Sequence, residues 1–234
     1  MNIFGDDSPL LTESGLTFRP AMLVGEERPL ARLRYGHELG GLTTGRLTEV
    51  SGAGGGAGLT LAASFLRRAQ GRGQTVLWLG CDGKTFYPPD MQAAGVDLER
   101  LPVLFLPQPA DAALAATRLL SSGGFDLLVW DLASWKKPPS RLPVALLARL
   151  GAMARHHRAA VLILTAKGED EPSLGCLVGL RLGVQAEAGD PSLLRVKVLK
   201  DKRGSAGEGR EWQWRCGVPE GLPPSAPLPR RRPA

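Results

Sequence analysis

From about Gly45 onward, short apolar runs alternate with longer mixed segments. Four runs, Thr75 to Leu79, Val103 to Leu106, Leu127 to Trp130 and Val161 to Leu164, are apolar on both faces, which predicts strands buried between helices in a parallel sheet. Leu47 to Val50 is an earlier candidate strand. The first intervening segment, LTLAASFLRRAQ, places Leu59, Ala62, Ala63 and Leu66 along one helical face. Asp111 to Leu120 reads as a second helix. A third begins at Ser140 as N-cap with Pro143 in its first turn, and carries Leu146, Leu147, Leu150 and Met153. It ends in Arg155, His156, His157 and Arg158, cations that complement a helix C-terminus.

After about residue 178 the texture changes, because LLRVKVLK and EWQWRC alternate apolar with polar residues, as antiparallel strands with one wet face do. The predicted fold class is therefore α/β, with a mostly parallel central sheet flanked by helices and an antiparallel C-terminal edge. Residues 1–35 contain Pro9, Pro20 and Pro29 without sustained periodicity and read as an N-terminal arm. Residues 36–217 form the expected core. Residues 218–234, rich in proline and arginine, read as a disordered tail.

A chain of 234 residues with 43% hydrophobic content can bury a substantial core within one domain. The net charge of +6 favours contact with acidic surfaces or nucleic acid, and a solvated basic surface explains it equally well. Cys81, Cys176 and Cys216 are odd in number and far apart, which fits reduced thiols better than disulfides or a zinc cluster. The N-terminus lacks a basic segment followed by an apolar run, and no stretch reaches the length of a membrane-spanning helix, so the expectation is a cytoplasmic protein without membrane contact.

The candidate chemistry lies just after the first strand, at Gly52-Ala53-Gly54-Gly55-Gly56-Ala57-Gly58-Leu59. A phosphate-binding loop reads G-x-x-x-x-G-K-[ST]: amides cradle the phosphates, lysine neutralises them and the hydroxyl holds magnesium. Here Ala57 stands in the place of the second glycine, Gly58 in that of the lysine and Leu59 in that of the hydroxyl. No lysine lies between Glu49 and Arg72, so no change of register restores the motif. The expectation is a protein that does not turn over ATP and needs no cofactor. Free amides leave weak anion binding open beside a plain strand-to-helix turn. The same glycines also satisfy G-x-G-x-x-[GA], the dinucleotide fingerprint, with Asp82 as a late acidic partner.

The flanking segments resemble the RecA recombinase core, in order, over roughly residues 30 to 216. Gly40-Gly41-Leu42-Thr43-Thr44-Gly45-Arg46 resembles the turn into the phosphate-loop strand, and GVDLERLPVLFLPQP from Gly95 is similar to that family's GVD segment and the strand after it. FDLLVWD resembles a Walker B strand, which implies for Asp131 the place of the aspartate that supports magnesium. Asp82 falls where the family carries its catalytic glutamate. RVKVLKDKRG from Arg195 is similar to the strand whose two lysines reach a neighbouring protomer's nucleotide, and those lysines map to Lys200 and Lys202. With the lysine and hydroxyl gone, Asp131 reads as a cap and Asp82 as a turn residue.

Both segments that correspond to the family's DNA-binding loops are short. AKGEDEPSLG is acidic and opposes a phosphate backbone, while Trp135, Lys136 and Lys137 offer a stacking and charge site or a solvated turn. A short RecA-like chain without a working phosphate loop and with a basic proline-rich tail resembles the ImuA family. That resemblance implies an accessory factor of the SOS-induced mutasome, acting with an ImuB-type inactive Y-family polymerase relative and an error-prone C-family polymerase. The contrast between the lost loop and the kept lysines makes RecA filaments a further candidate partner, docked through Lys200 and Lys202, and the acidic segment leads to an expectation of weak or no direct DNA binding. Arg230, Arg231 and Arg232 in the tail are candidate partner contacts. An ATP-binding RecA paralogue in recombinational repair and a SulA-like cell-division inhibitor are the competing readings.

Overall fold

A computed structural model describes residues 42–52, 56–82, 85–203 and 208–216. Its elements run β1 (Leu47–Ser51), α1 (Ala57–Gln70), β2 (Val76–Gly80), α2 (Pro88–Ala93), β3 (Val103–Phe105), α3 (Pro109–Ser121) and β4 (Leu127–Asp131). A 3-10 turn at Leu132–Ser134 leads to α4 (Val144–His156), followed by β5 (Ala160–Thr165), β6 (Leu180–Glu187), β7 (Asp190–Asp201) and β8 (Glu211–Arg215). The strands form one sheet in the order β3-β2-β4-β5-β1-β6-β7-β8. The pairings among β1 to β6 are all parallel, and β7 runs antiparallel to both β6 and β8. This is the expected α/β architecture, a mostly parallel sheet with helices on its faces and an antiparallel C-terminal edge. The arm at 1–35 and the tail at 218–234 lie outside the described residues.

Side chains alternate between two cores, which is why the central strands are apolar on both faces. Val76, Trp78, Leu127, Val129, Leu162 and Leu164 meet α1 through Leu61, Ala62, Phe65, Leu66 and Ala69. Leu77, Leu79, Leu128, Trp130, Val161 and Ile163 meet α3 and α4 through Ala112, Ala116, Leu120, Leu147, Leu150 and Ala154. Burying each leucine-sized side chain contributes roughly 1.5–3 kcal/mol, so the two layers together hold the sheet between its helices. In the antiparallel extension only one face is covered: Leu194, Val196 and Val198 are buried, while Arg195 and Lys197 point to the other side.

Two sequence expectations change. The third helix does not start from a Ser140 cap; it starts at Val144 with Pro143 as the N-cap residue. The residue before a proline is held extended, and the amide of Leu142 is spent on the carbonyl of Leu174 at 2.9 Å. The buried stripe of α4 is accordingly Leu147, Leu150, Gly151 and Ala154, with Leu146 and Met153 at its margins. The short helix α2, opened by Pro88 and Pro89, had no apolar period to reveal it. At the entry to β1, Gly45 adopts φ 72°, and a Cβ there would sit 3.0 Å from Arg155 Cγ, so the turn requires glycine.

Candidate functional site

The carboxyl ends of β1, β2, β4 and β5 gather the residues singled out from the sequence. Gly52 leaves β1 and donates its amide to the Thr165 carbonyl at the end of β5, 3.1 Å away. Gly54 and Gly55 lie outside the described residues. Gly56 is the N-cap residue of α1 and supplies no side-chain cap, and the first turn of the helix holds no acidic residue. Ala57 is buried, and Gly58 and Leu59 are partly buried. A Cβ at Gly56 would meet nothing within 4 Å, and one at Gly58 would lie 3.7 Å from Val50 Cγ1. Packing does not demand glycine at either position, and Gly56 adopts an ordinary right-handed conformation, φ -67°.

Asp131 ends β4 with its carboxyl fully buried. Its Oδ2 accepts the Thr85 hydroxyl at 2.8 Å, and its Oδ1 is buried without a hydrogen-bond partner. Burial raises the pKa of this carboxyl, the Thr85 hydroxyl and the nearby amides of Ser134 and Ala133 lower it, and the negative charge of Asp82 raises it further. The Asp131 carbonyl accepts the Ser134 hydroxyl at 2.7 Å, and that hydroxyl takes the Cys81 amide at 2.8 Å. The ends of β2 and β4 are thus tied by Thr85, Asp131 and Ser134. The structure brings Asp82 close to Asp131, as the sequence order suggested.

Lys200 and Lys202 sit at the other end of the sheet. Lys200 is paired with Arg181, which sits beside Glu49 in the middle of β1, and the Lys202 amide reaches Gly179 beside Leu47, so both lysines lie on the side of the sheet away from the glycine loop. The two differ in surroundings. Lys200 Nζ donates to the Gly175 carbonyl at 3.1 Å, and burial together with the charge of Lys202 pulls its pKa below the ordinary lysine value. The side chain of Lys202 is exposed, and its amide donates to the Gly179 carbonyl at 3.0 Å. Arg230, Arg231 and Arg232 lie outside the described residues. Trp135 is buried and gives its Nε1 proton to the Pro107 carbonyl at 3.1 Å, which removes it as a stacking platform, while Lys136 and Lys137 are exposed.

Sequence reading missed a set of buried charges around β1 and β6. Glu49, in the middle of β1, is fully buried and takes the Ser173 hydroxyl at 2.7 Å and the Leu174 amide at 2.9 Å. Arg181 Nε lies 3.6 Å from Glu49 Oε1 and donates to Ser51 Oγ at 2.9 Å. Arg46 forms an ion pair with Asp201 and donates to the Gly179 carbonyl at 2.6 Å. The available signal was a glutamate in the middle of a strand expected in the centre of the sheet, since an unpaired charge there would be prohibitive.

Among the described residues no group of three or more histidine, cysteine or acidic side chains is placed to hold a metal ion, and no helix is long and apolar enough to cross a membrane. Fold and site together define an α/β protein whose glycine loop follows the first strand of a sheet buried on both faces. The sequence profile of the MT3502 N-terminal domain family matches residues 37–169, and the chain belongs to that family. No curated protein matches it.

Proposed function

We propose that this chain is a non-catalytic RecA-like accessory factor of SOS-induced, error-prone translesion DNA synthesis. In this reading it acts by holding an ImuB-type polymerase relative and an error-prone C-family polymerase, and by contacting RecA filaments. One observation carries the reading: the RecA-like order of segments is kept around a loop in which Gly58 and Leu59 replace the lysine and the hydroxyl. Phosphoryl transfer depends almost wholly on positioning and charge neutralisation, so a loop without either group has lost what the chemistry needs. The buried Asp131, bonded to Thr85, supports the same conclusion, because a carboxyl in that state is poorly suited to a metal.

The placement of the lysines supports an asymmetric subunit. One end of the sheet offers the exposed cation Lys202 to a neighbour's nucleotide, and the other end has no equipped loop to offer in return. Such a subunit would dock on a filament and cap it. Lys200 is bonded inward to Gly175, so in this reading the contact falls to Lys202.

Two measurements on the full chain test the proposal. A nucleotide titration with magnesium is expected to show neither ATP nor NAD binding, and affinity purification from DNA-damaged cells is expected to recover a Y-family-like protein. Tight magnesium-dependent ATP binding would favour a RecA paralogue in recombinational repair instead. NAD binding would favour a dinucleotide enzyme, and recovery of the cell-division machinery in place of a polymerase would favour the SulA-like reading. RecA pulldown by the Lys202→Ala chain, if undiminished, would remove the docking step alone.

A further inference from the structure

We infer that Lys167, Arg181 and Lys200 form an internal clamp that fixes the segment from Gly168 to Gly175 in one conformation by binding its backbone carbonyls. This segment follows β5 and contains no helix or strand, so its carbonyls have no regular ladder to satisfy them. Three cations reach them from below. Arg181 donates from Nη2 to Gly168 at 2.7 Å and from Nη1 to Glu169 at 3.5 Å and to Glu171. Lys167 Nζ donates to Pro172 at 2.6 Å and also to Ser140, which joins this segment to the one before α4. Lys200 Nζ closes the far end on Gly175 at 3.1 Å.

The other anchors point the same way. Glu49 takes the Leu174 amide and the Ser173 hydroxyl, and Leu174 itself is fully buried. A Cβ at Gly183 would stand 3.2 Å from Glu169 Cγ, so β6 carries glycine where the segment crosses it. Lys197 then pairs with the Glu169 carboxylate at 2.9 Å. The buried ionic groups here are Lys167 and Arg181 against Glu49, with the Arg46–Asp201 pair neutral beside them and Lys200 half-buried at the margin. The surplus positive charge is met by carbonyl dipoles, which is why the carbonyls cannot be given up without leaving buried cations unsolvated. Desolvation, the largest influence on both Lys167 and Lys200, lowers the pKa of each, as expected of ammonium groups held this way.

The clamp is a conformational device independent of the function proposed above. It commits Lys167, Arg181 and Lys200 internally and leaves Asp170 exposed, while the Glu171 carboxylate accepts the Gly168 amide at 2.8 Å. Limited proteolysis of the full native chain with a glutamyl endopeptidase tests it, because Glu169 and Glu171 lie within the clamped segment. The native chain is expected to be cut at these bonds at least about tenfold more slowly than a free peptide spanning residues 164–178, since cleavage requires local opening. Lys200→Ala and Lys167→Met, each removing one charged donor, should each speed cleavage by roughly tenfold or more. Lys197→Ala, which breaks only the exposed pair, should change the rate by no more than about twofold. Arg181→Gln made together with Glu49→Gln removes both members of the buried pair at once, and if that chain does not fold the two lysine variants decide. Native cleavage as fast as the peptide's, or lysine variants as resistant as the native chain, would overturn the inference.

Discussion

Replacing Glu49 by alanine is expected to cost the fold about 3–5 kcal/mol, the range found when one partner of a buried ion pair is removed. The figure can be built from the contacts. Two hydrogen bonds to a carboxylate are lost, from Ser173 at 2.7 Å and Leu174 at 2.9 Å, each worth about 1.5–3 kcal/mol when one partner is charged. The ion pair with Arg181 at 3.6 Å is lost as well. Part of the sum is recovered because Arg181 keeps Ser51 and the carbonyls of Gly168 and Glu171 as partners. Glu49→Gln keeps an oxygen for Ser173 and Leu174 but turns an N–H donor toward Arg181 and removes its counter-charge, so it should cost about 1–3 kcal/mol, less than alanine. Urea unfolding followed by tryptophan emission, with five tryptophans as reporters, measures both midpoints. As a surface control, Arg195→Ala breaks a pair with Glu211 whose side chains are 49% and 44% exposed, and should cost no more than about 1 kcal/mol. A Glu49→Ala chain within about 1 kcal/mol of the native protein, or no less stable than Glu49→Gln, would refute the assignment of Glu49 as the buried anchor.

Three further outcomes follow from the same contacts. Asp131→Asn should stabilise the protein at neutral pH: burial raises the folded pKa of Asp131, so the wild-type chain loses stability as pH climbs from its unfolded value of about 3.9 through the folded one, and the asparagine chain does not. Urea midpoints at pH 7 and pH 4 check this, with the gap between the two chains closing in acid. Ser64→Ala leaves the buried Trp214 indole N–H without its acceptor at 3.2 Å and should cost about 1–3 kcal/mol, read from thermal unfolding. Gly175→Ala would place a Cβ 2.5 Å from Leu147 Cδ1 and should cost about 1–3 kcal/mol by overpacking, whereas Gly56→Ala, with nothing within 4 Å, should change stability by under about 1 kcal/mol in the same assay.

The parts of the fold legible in the sequence are those where one short-range signal decides the outcome. Runs such as Leu127 to Trp130 are apolar on both faces because the strands are covered on both faces, and the structure keeps them as strands within a residue or so at each end. Asp131 ends β4 and Asp82 follows the end of the neighbouring parallel strand β2 by two residues, which brings their charges within reach of each other. Long-range polar pairing was not legible. Glu49 and Arg181 are far apart in sequence and meet only because β1 and β6 are neighbours, and Trp135 looked available until its indole was found on Pro107. The separation of Lys200 from Lys202 has a similar cause. Strict alternation along β7 would put Lys200 on the same face as Leu194, Val196 and Val198, which is core. Between Val198, paired with Leu182, and Lys200, paired with Arg181, the register shifts by one residue. The extra residue at this bulge is Leu199, whose Cδ1 lies 3.2 Å from where a Cβ on Gly183 would be, so Leu199 and Lys200 both turn to the face of Arg181. A period-two reading cannot see such a shift. It is this one residue that delivers Lys200 to the Gly175 carbonyl and leaves Lys202, past the strand end, as the exposed lysine of the two.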